Sequence, residues 1–463
     1  MQKTLLLKIA LIGLVALLMQ IPVEMIRGLV AERKQARDGV LADIARGTSE
    51  AQRVIGPVLY VPWTRRRLEV TTTTDDAGRS RTISKEKVER GQVALLPETL
   101  QIDGDIALQT KHRSLYEAHL YTLAAKVRGT FVLPAGLGVA GGPGTLEWGR
   151  AQLVLGIKDT RGIREPIRVE WNGTRPPLRP GAMAAAGLAS GIHADLGALA
   201  TDAAKATTHE FLIELTLLGT ERLDIIPVGA TSSVALSSQW PHPSFVGRIL
   251  PDAGTALSKE GFAASWRTSH FATNLAQLYQ QCVNGQACET FQNYSLGVSF
   301  YEPVDLYQTV ERSAKYGFLF IGLTFAAFFL FEVLTRLAIH PVQYALVGIA
   351  LAMFFLLLIS LSEHIGFAPA YAIASAACVG LIGFYVGHVL RSARRGVAFG
   401  GALGGLYGLL YVLLRSEDHA LLMGSLLVFA CIAAAMVLTR RVDWYAVAAN
   451  GTPPAQPPAQ KPA

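Results

Sequence analysis

Six long apolar segments constrain the fold of this chain more than any other feature. Each segment has about 20 residues, the length that an α-helix needs to cross the hydrocarbon core of a bilayer. One lies at the N-terminus and five follow one another near the C-terminus. They cover roughly Leu5–Ile26, Tyr316–Ala338, Pro341–Leu361, Phe367–Leu390, Val397–Leu414 and Ala420–Leu438. The pattern predicts a transmembrane anchor over 1–26 and a five-helix transmembrane bundle over 316–440.

The first segment has two interpretations, a cleaved signal peptide or a membrane anchor that stays in place. A signal peptide combines an early positive charge with a short apolar core and ends at a small-x-small cleavage pattern. Lys3 supplies the charge, but the apolar run is long and its end, Gln20–Glu24, lacks that pattern. The sequence therefore favours an uncleaved anchor.

The basic residues of the membrane half predict its orientation, because cytoplasmic helix ends are enriched in lysine and arginine. With a cytoplasmic N-terminus, the two short outer loops at 362–366 and 415–419 carry one basic residue, Arg415. The cytoplasmic ends then carry Lys3, Arg336, Arg391, Arg394, Arg395, Arg440, Arg441 and Lys461. We therefore expect a multi-pass protein of a bacterial inner membrane, with both termini cytoplasmic and residues 27–315 periplasmic.

Composition supports the division into two environments. Of the 463 residues 51% are hydrophobic and 17% are charged, and the charges concentrate between the first and second apolar segments. The net charge of +7 does not indicate a nucleic-acid partner, because many basic residues lie at membrane helix ends and no basic stripe with interleaved aromatics occurs.

Residues 27–315 predict a large, mostly β periplasmic domain inserted between helices 1 and 2. Charged helix formers predict a helical stalk over 27–51, after which short runs of β-branched residues alternate with Gly, Pro and Asp, a pattern typical of a β-sandwich or barrel. A Pro-, Gly- and Ala-rich stretch at about 172–206 suggests a split into two lobes. The Pro-rich end, 441–463, is expected to be a disordered cytoplasmic tail.

Cys282 and Cys288 fall in the predicted periplasmic domain. Five residues separate them, and the turn-forming pair Asn284-Gly285 can return the chain on itself. In an oxidising compartment these thiols are candidates for a disulfide. The alternative, two free thiols held apart by strand geometry, stays open.

Several catalytic patterns are incomplete. His209-Glu210 begins a zinc-protease motif, but Ile213 stands where the second histidine belongs. The glycines at 136, 138 and 141 match a dinucleotide fingerprint in spacing but precede no helical pattern. We find no catalytic motif, and we expect neither a cofactor nor a metal site.

Ionisable residues near the membrane segments are the stronger functional candidates, because charge in lipid is costly. Glu363 and His364 close the third segment on its outer side, where Arg312 and Lys315 also begin the second. We therefore predict a functional polar cluster of Glu363, His364, Arg312 and Lys315. Glu332 lies deeper and is expected to pair with Arg336, four residues on. The alternative is a purely structural role, in which Glu363 and His364 form a solvated pair or cap the helix.

A series of motifs extends along the chain from about Leu5 to Tyr445. It comprises Gly156-Ile157-Lys158-Asp159-Thr160-Arg161-Gly162-Ile163, Trp240-Pro241-His242-Pro243-Ser244-Phe245, Gly261-Phe262 with Trp266, Tyr307-Gln308 with Arg312-x-x-Lys315-Tyr316, His340-Pro341-x-Gln343-Tyr344, Leu361-Ser362-Glu363-His364-x-Gly366-Phe367 and Asp443-Trp444-Tyr445. In this order the motifs resemble the CreD family of bacterial inner-membrane proteins. The resemblance implies a role in envelope maintenance or stress, within a regulon under a two-component system. It implies no reaction, because the family offers no established catalytic residues.

Three functional classes follow. We favour a non-enzymatic protein that supports cell envelope integrity, with the lipid bilayer and an envelope component or membrane protein as its partners. A transporter or export accessory that uses the helix bundle is the alternative, and a tethered hydrolase ranks lowest. Glycines four residues apart at 383 and 387, at 400, 404 and 408, and at 401 and 405 predict close helix packing, within one chain or in a homo-oligomer.

Overall fold

The computed structural model describes residues 2–74, 80–113, 115–182, 190–199, 205–300, 306–335, 339–415 and 420–440. The predicted tail at 441–463 lies outside these residues. The described chain has an N-terminal apolar helix, a mostly β unit and a C-terminal helical bundle, so the predicted fold class is confirmed.

The chain divides into two compact units. One comprises residues 1–38 and 304–463, and the other residues 39–303. We call them the helical unit and the β unit. The boundaries differ from the predicted 27 and 315 because helix formation does not stop where charge begins. Residues 27–38 continue a membrane-type helix, and residues 306–315 are helical too.

The described residues form eleven α-helices. In chain order these are α1 Gln2–Leu18, α2 Gln20–Gly47, α3 His270–Thr273, α4 Leu275–Val283, α5 Cys288–Asn293, α6 Leu306–Lys315, α7 Gly317–Thr335, α8 Pro341–Ile365, α9 Phe367–Val389, α10 Ala393–Arg415 and α11 Ala420–Thr439.

By length and composition, five described helices can cross a membrane. They run over Leu6–Gly47, Pro341–Ile365, Phe367–Val389, Ala393–Arg415 and Leu422–Thr439. A sixth span results if α6 and α7, which meet at a 43° bend, count as one. The start of α8 shows how local sequence sets a boundary. The His340 side chain accepts a hydrogen bond from the backbone N–H of Val342, and the Gln343 side-chain oxygen accepts one from the backbone N–H of His340. Pro341 occupies the first turn of the helix.

The β unit contains sixteen described strands. They are β1 Gln52–Thr74, β2 Ser80–Leu95, β3 Thr99–Arg113, β4 Tyr116–Leu133, β5 Thr145–Trp148, β6 Ala151–Ile157, β7 Ile163–Trp171, β8 Leu178–Pro180, β9 Gly191–Gly197, β10 Thr207–Thr220, β11 Arg222–Ile226, β12 Thr231–Ser238, β13 Ser244–Gly247, β14 Ala256–Ser258, β15 Gly261–Ser269 and β16 Leu296–Ser299.

These strands form a nine-stranded and a seven-stranded sheet. The larger follows the order β13-β16-β11-β1-β6-β9-β8, with β2 and β5 also paired to β1, and the smaller follows β14-β15-β12-β3-β4-β10-β7. Alternation sets the inner face: in β4, Leu123, Ala125 and Val127 are buried whereas Lys126 and Arg128 are exposed.

The predicted division into two lobes near 172–206 does not hold for the described residues. The chain alternates between the two sheets throughout its length, so neither sheet is a contiguous stretch of sequence. Side chains from both sheets also share one hydrophobic core, for example Leu59 and Ile225 from one and Val127 and Trp266 from the other. The stretch at 172–206 instead contributes the short strands β8 and β9 to the larger sheet.

Candidate functional site

A polar contact joins three helices of the helical unit around Tyr307. Its hydroxyl donates to the Glu363 carboxylate at 3.1 Å, and the guanidinium of Arg37 lies 5.2 Å from the ring centroid. Tyr307 is buried while Glu363 is only partly so. The contact thus connects α6 and α2 to the last turn of α8 through one aromatic side chain.

In the structure, two residues of the predicted polar cluster, Lys315 and His364, have contacts within their own helices. Lys315 pairs with Glu311 within α6 at 3.0 Å, and the His364 ring lies 3.0 Å from the carbonyl of Ser360 within α8. Arg312 lies in the last turn of α6. The helix carrying Arg312 and Lys315 therefore meets Glu363 through Tyr307, which charge patterns alone did not single out.

A second polar contact lies deeper among the membrane helices and centres on Glu332. This side chain in α7 is 6% exposed and forms an ion pair with Lys8 of α1. The Tyr344 hydroxyl donates to its other oxygen at 2.9 Å, and the backbone N–H of Ile339 donates at 3.1 Å. The sequence predicted Arg336 as the partner, and that residue lies outside the described part of the chain.

Among the described residues, one charge and two hydrogen-bond donors compensate the Glu332 carboxylate. A carboxylate in lipid is retained only where such partners compensate for its lost hydration. The arrangement fixes α1 against α7 and α8. It also gives the charged Lys8, inside an apolar helix, a defined position.

Helices α9 and α10 approach each other closely at glycines. A Cβ added to Gly396 would lie 2.6 Å from the Cα of Gly387, and Gly400 faces Gly383 at 3.7 Å. Gly401, Gly405 and Gly408 have open space instead. Of the predicted glycine ridges, the structure places Gly383, Gly387 and Gly400 at this contact, and it adds Gly396.

A buried polar cluster surrounds the start of β1 in the β unit. The Gln52 amide donates to the hydroxyl of Ser49 at 2.8 Å, and to the carbonyls of Asp159 at 2.8 Å and Leu218 at 3.0 Å. The Asp159 carboxylate accepts from the backbone N–H of Glu50 and from the guanidinium of Arg161, the shortest contact being 2.6 Å. These bonds hold the pKa of Asp159 at about 2, below its usual 3.8.

Cys282 and Cys288 form a disulfide in the structure, with their Sγ atoms 2.01 Å apart. Cys282 lies in the last turn of α4 and Cys288 begins α5, and Gly285 between them adopts a positive φ of 80°. The turn predicted from Asn284-Gly285 is thus present. It lies between two short helices, α4 and α5, that the sequence pattern did not indicate.

The incomplete catalytic patterns occupy structural positions. His209 lies in β10, where its ring nitrogens are 2.8 Å from the Asn172 amide and 3.0 Å from the Thr207 hydroxyl. The ring stacks on Trp171, and burial lowers the pKa of His209. The glycines from 136 onward lie in a turn and loop between β4 and β5, without a following helix. Among the described residues, no group of three His, Cys, Asp or Glu side chains is placed to hold a metal ion.

A groove of about 780 Å³ lies on the outer face of the seven-stranded sheet. Small residues of the central strands line it, including Gly104, Ala124, Ala235 and Ala263. Charged residues of β3, β4, β10 and β7 oppose one another across neighbouring strands in alternating sign, in the order Asp103, Lys126, Glu214 and Arg168. Lys126 lies 3.3 Å from Glu214, so these charges largely neutralise one another.

Comparison with known proteins agrees with this architecture. The family model described as inner membrane protein CreD matches residues 4–445. The chain belongs to the CreD family. It is also 36% identical over 433 residues to inner membrane protein CreD of Escherichia coli (strain K12), a match that covers 93% of this chain and 91% of that protein.

Family membership confirms the resemblance and makes this chain a multi-pass inner-membrane protein. Within this CreD sequence, the positions that the structure adds to the functional candidates are Tyr307, Arg37 and Lys8. Tyr307 and Lys8 could have been suspected, because a tyrosine and a lysine stand beside or inside apolar segments where such groups require partners. Arg37 was predicted to lie in the helical stalk over 27–51, but its charge pattern does not show that its guanidinium lies over the ring of Tyr307.

Proposed function

We propose that this chain supports cell envelope integrity without catalysing a reaction, by binding an envelope component or a partner protein through its β unit. The observation that carries the proposal is the groove on the seven-stranded sheet. Its volume of about 780 Å³ lies within the range of ligand sites, roughly 300–1,000 Å³. Its small residues allow a ligand backbone to approach the sheet closely.

The electrostatics of the groove favour an extended polar segment of low net charge. Lys126 and Arg168 both lie within 4 Å of Glu214, at 3.3 and 3.9 Å. The Ser237 hydroxyl donates to Asp105 at 2.9 Å. A strongly charged ligand would have to break these pairs. Peptide-like or glycan-like groups can instead form hydrogen bonds with the outward-facing oxygens and nitrogens of the paired side chains.

The test is to fill the groove and measure survival under envelope stress. Ala124→Trp and Ala263→Trp place a bulky ring in the groove at exposed strand positions, where aromatic residues are tolerated. Ala107→Trp is the matched control, because Ala107 is an exposed residue of β3 outside the lining. In a strain that lacks the protein, we expect the two groove variants to fail to restore resistance and the control to restore it, at equal protein levels. Full rescue by both groove variants would refute the proposal.

A transport or export function is the second candidate, and the partly buried Lys8–Glu332 contact favours it. Ionisable side chains among membrane helices often mark ion or proton pathways. Transport through this contact predicts that Glu332→Gln abolishes stress resistance while the protein stays folded and abundant. The binding proposal predicts that Glu332→Gln retains resistance as long as the bundle assembles.

We also propose the orientation in which both termini are cytoplasmic and the β unit is periplasmic. It is supported by the basic residues at the ends of the membrane helices. Alkaline phosphatase fused after Arg150 or Gly366 should be active, and fusions after His340 or Arg394 should be inactive. Activity at Arg394 would exclude this arrangement. Self-association of the chain stays a prediction.

A further inference from the structure

The first two strands of the β unit continue past their sheet as a two-stranded ribbon. Over Trp63–Arg66, β1 still pairs with β5 as well as with β2. Beyond that point, the described residues of Arg67–Thr74 pair with those of Ser80–Lys87 alone. A two-stranded ribbon by itself is marginally stable in water, so an extension of this kind gains from a supporting surface.

One face of the ribbon exposes apolar side chains. Leu68 and Val70 are 72% and 61% exposed, and Val88 on the opposite strand is 43% exposed. Residues two apart in a strand, and residues directly opposite across a pair, share a face. Because Leu68 pairs with Glu86, two residues from Val88, the three apolar side chains lie on one face. They share it with Glu86 and with Arg66, which lies opposite Val88 and 3.6 Å from Glu86, so the strip is apolar apart from this ion pair.

The other face of the ribbon is cationic. It carries Arg65, Arg67, Lys85 and Lys87 against Glu69 and Glu89. Arg67 pairs with Glu89 at 3.3 Å. Among the described residues, no carboxylate lies within 4 Å of the ammonium of Lys85 or Lys87. The ribbon is therefore amphipathic, with an apolar strip on one side and an excess of positive charge on the other.

We propose that this ribbon lies on the surface of the protein's own membrane and binds anionic phospholipid headgroups. An apolar face combined with a lysine- and arginine-rich face is the composition of elements that rest in the bilayer interface. The apolar strip enters the headgroup–acyl boundary, and Lys85 and Lys87 extend their stems towards the phosphates. Charge complementarity selects anionic over neutral lipid.

Tethering makes this weak recognition sufficient. Membrane-type helices precede and follow the β unit in the sequence, so the ribbon cannot diffuse away from a bilayer. Covalent linkage converts surface binding into an intramolecular step with a high effective concentration. Three apolar side chains and two unpaired lysines would not hold a free protein on a membrane, but they can set the position of a tethered ribbon.

The experiment uses the full chain with Cys378 and Cys431 replaced by alanine and a cysteine introduced as Ser84→Cys. Ser84 pairs with Val70, so a polarity-sensitive fluorophore on this cysteine reports on the apolar face. The protein is reconstituted into vesicles of phosphatidylcholine alone, or of phosphatidylcholine with phosphatidylglycerol, each with and without brominated acyl chains. The same label on Ser265→Cys, in the exposed part of β15, is the position control.

We expect a blue-shifted emission that brominated lipid quenches at position 84, stronger with phosphatidylglycerol and absent at position 265. Each lysine near an anionic surface contributes roughly a fivefold change in binding. Lys85→Glu combined with Lys87→Glu should therefore lower the ratio of bound to free ribbon by at least about 25-fold. The matched pair Lys111→Glu with Lys205→Glu, at exposed positions outside the ribbon, should leave it unchanged.

Two results would overturn the membrane location of the ribbon, and a third would overturn its recognition of anionic headgroups. One is a label at position 84 that stays in water in both vesicle types. The other is a shielded label that brominated lipid does not quench, which would assign the apolar strip to a protein contact. Quenching that is equally strong with and without phosphatidylglycerol, and that Lys85→Glu with Lys87→Glu does not reduce, would contradict headgroup recognition.

Discussion

The carboxylate of Asp159 stabilises the fold through its charge, and this leads to a quantitative prediction. Asp159→Asn keeps the size of the side chain but removes the charge that Arg161 and the backbone N–H of Glu50 contact. A carboxyl group whose pKa falls from 3.8 to about 2 on folding stabilises the folded state by about 2 kcal/mol at neutral pH. Arg161 is half exposed, so solvent screening reduces the expected loss to about 1–2 kcal/mol.

The pH dependence has a definite sign. Because the folded pKa is depressed, the stabilisation is fully present above the unfolded value of 3.8 and is lost as the pH falls towards about 2. The difference in unfolding free energy between wild type and Asp159→Asn should therefore be constant at neutral pH and shrink in acid.

Denaturant unfolding of the full chain in detergent, followed by tryptophan fluorescence, measures this difference. Five of the six tryptophans lie in the β unit, at positions 63, 148, 171, 240 and 266. Asp103→Asn is the control, because its side chain is 42% exposed and its contacts are with a half-exposed arginine, Arg128, and with the amide of Gln101. It should cost less than about 0.5 kcal/mol. An Asp159→Asn loss that is equally large at neutral pH and at pH 2 would show that packing, not charge, accounts for the effect.

Two further changes test the disulfide and the glycine contact. Non-reduced protein should resist alkylation at Cys282 and Cys288, and Cys288→Ala should lower stability by about 2 kcal/mol or less because the closed loop is short; ready alkylation of both thiols would contradict the bond. Gly396→Leu should disrupt bundle assembly, measured as loss of monodisperse protein in detergent, because its Cβ would lie 2.6 Å from Gly387. Gly401→Leu should be tolerated, since open space surrounds that position, and equal behaviour of the two variants would contradict the packing argument.

The sequence predicted the membrane helices well because their signal is local. About 20 consecutive apolar residues identify a span without reference to the rest of the chain. The short β-branched runs of the exported segment have a local signal too, and three of them, Val54–Pro62, Phe211–Leu218 and Ser232–Leu236, fall within observed strands. The long hairpin formed by β3 and β4 was missed, because its alternation is interrupted by Gly104 and by polar residues.

Partner choice was less predictable, because it depends on contacts distant in sequence. Glu332 was recognised as a charge that requires a partner, but Lys8 is separated from it by 324 positions. Glu363 was likewise singled out, whereas Tyr307, which donates to it, carries no charge to mark it. Charge patterns therefore identified which groups needed partners, and tertiary structure determined which partners they received.

The pairing of β1 has a consequence for biogenesis. Its first residues align in parallel with β11, Gln52 opposite Leu223, and β11 is completed on its other edge by β16 at Leu296–Ser299. At the usual rate of synthesis, about 10–30 seconds separate the emergence of Gln52 from that of Leu223. During this interval the edge of β1 that later joins β11 has no partner and is open to aggregation. The β unit must therefore pass through a stage with a largely unfinished sheet, and a truncation before β16 leaves an open edge on β11, the direct partner of β1.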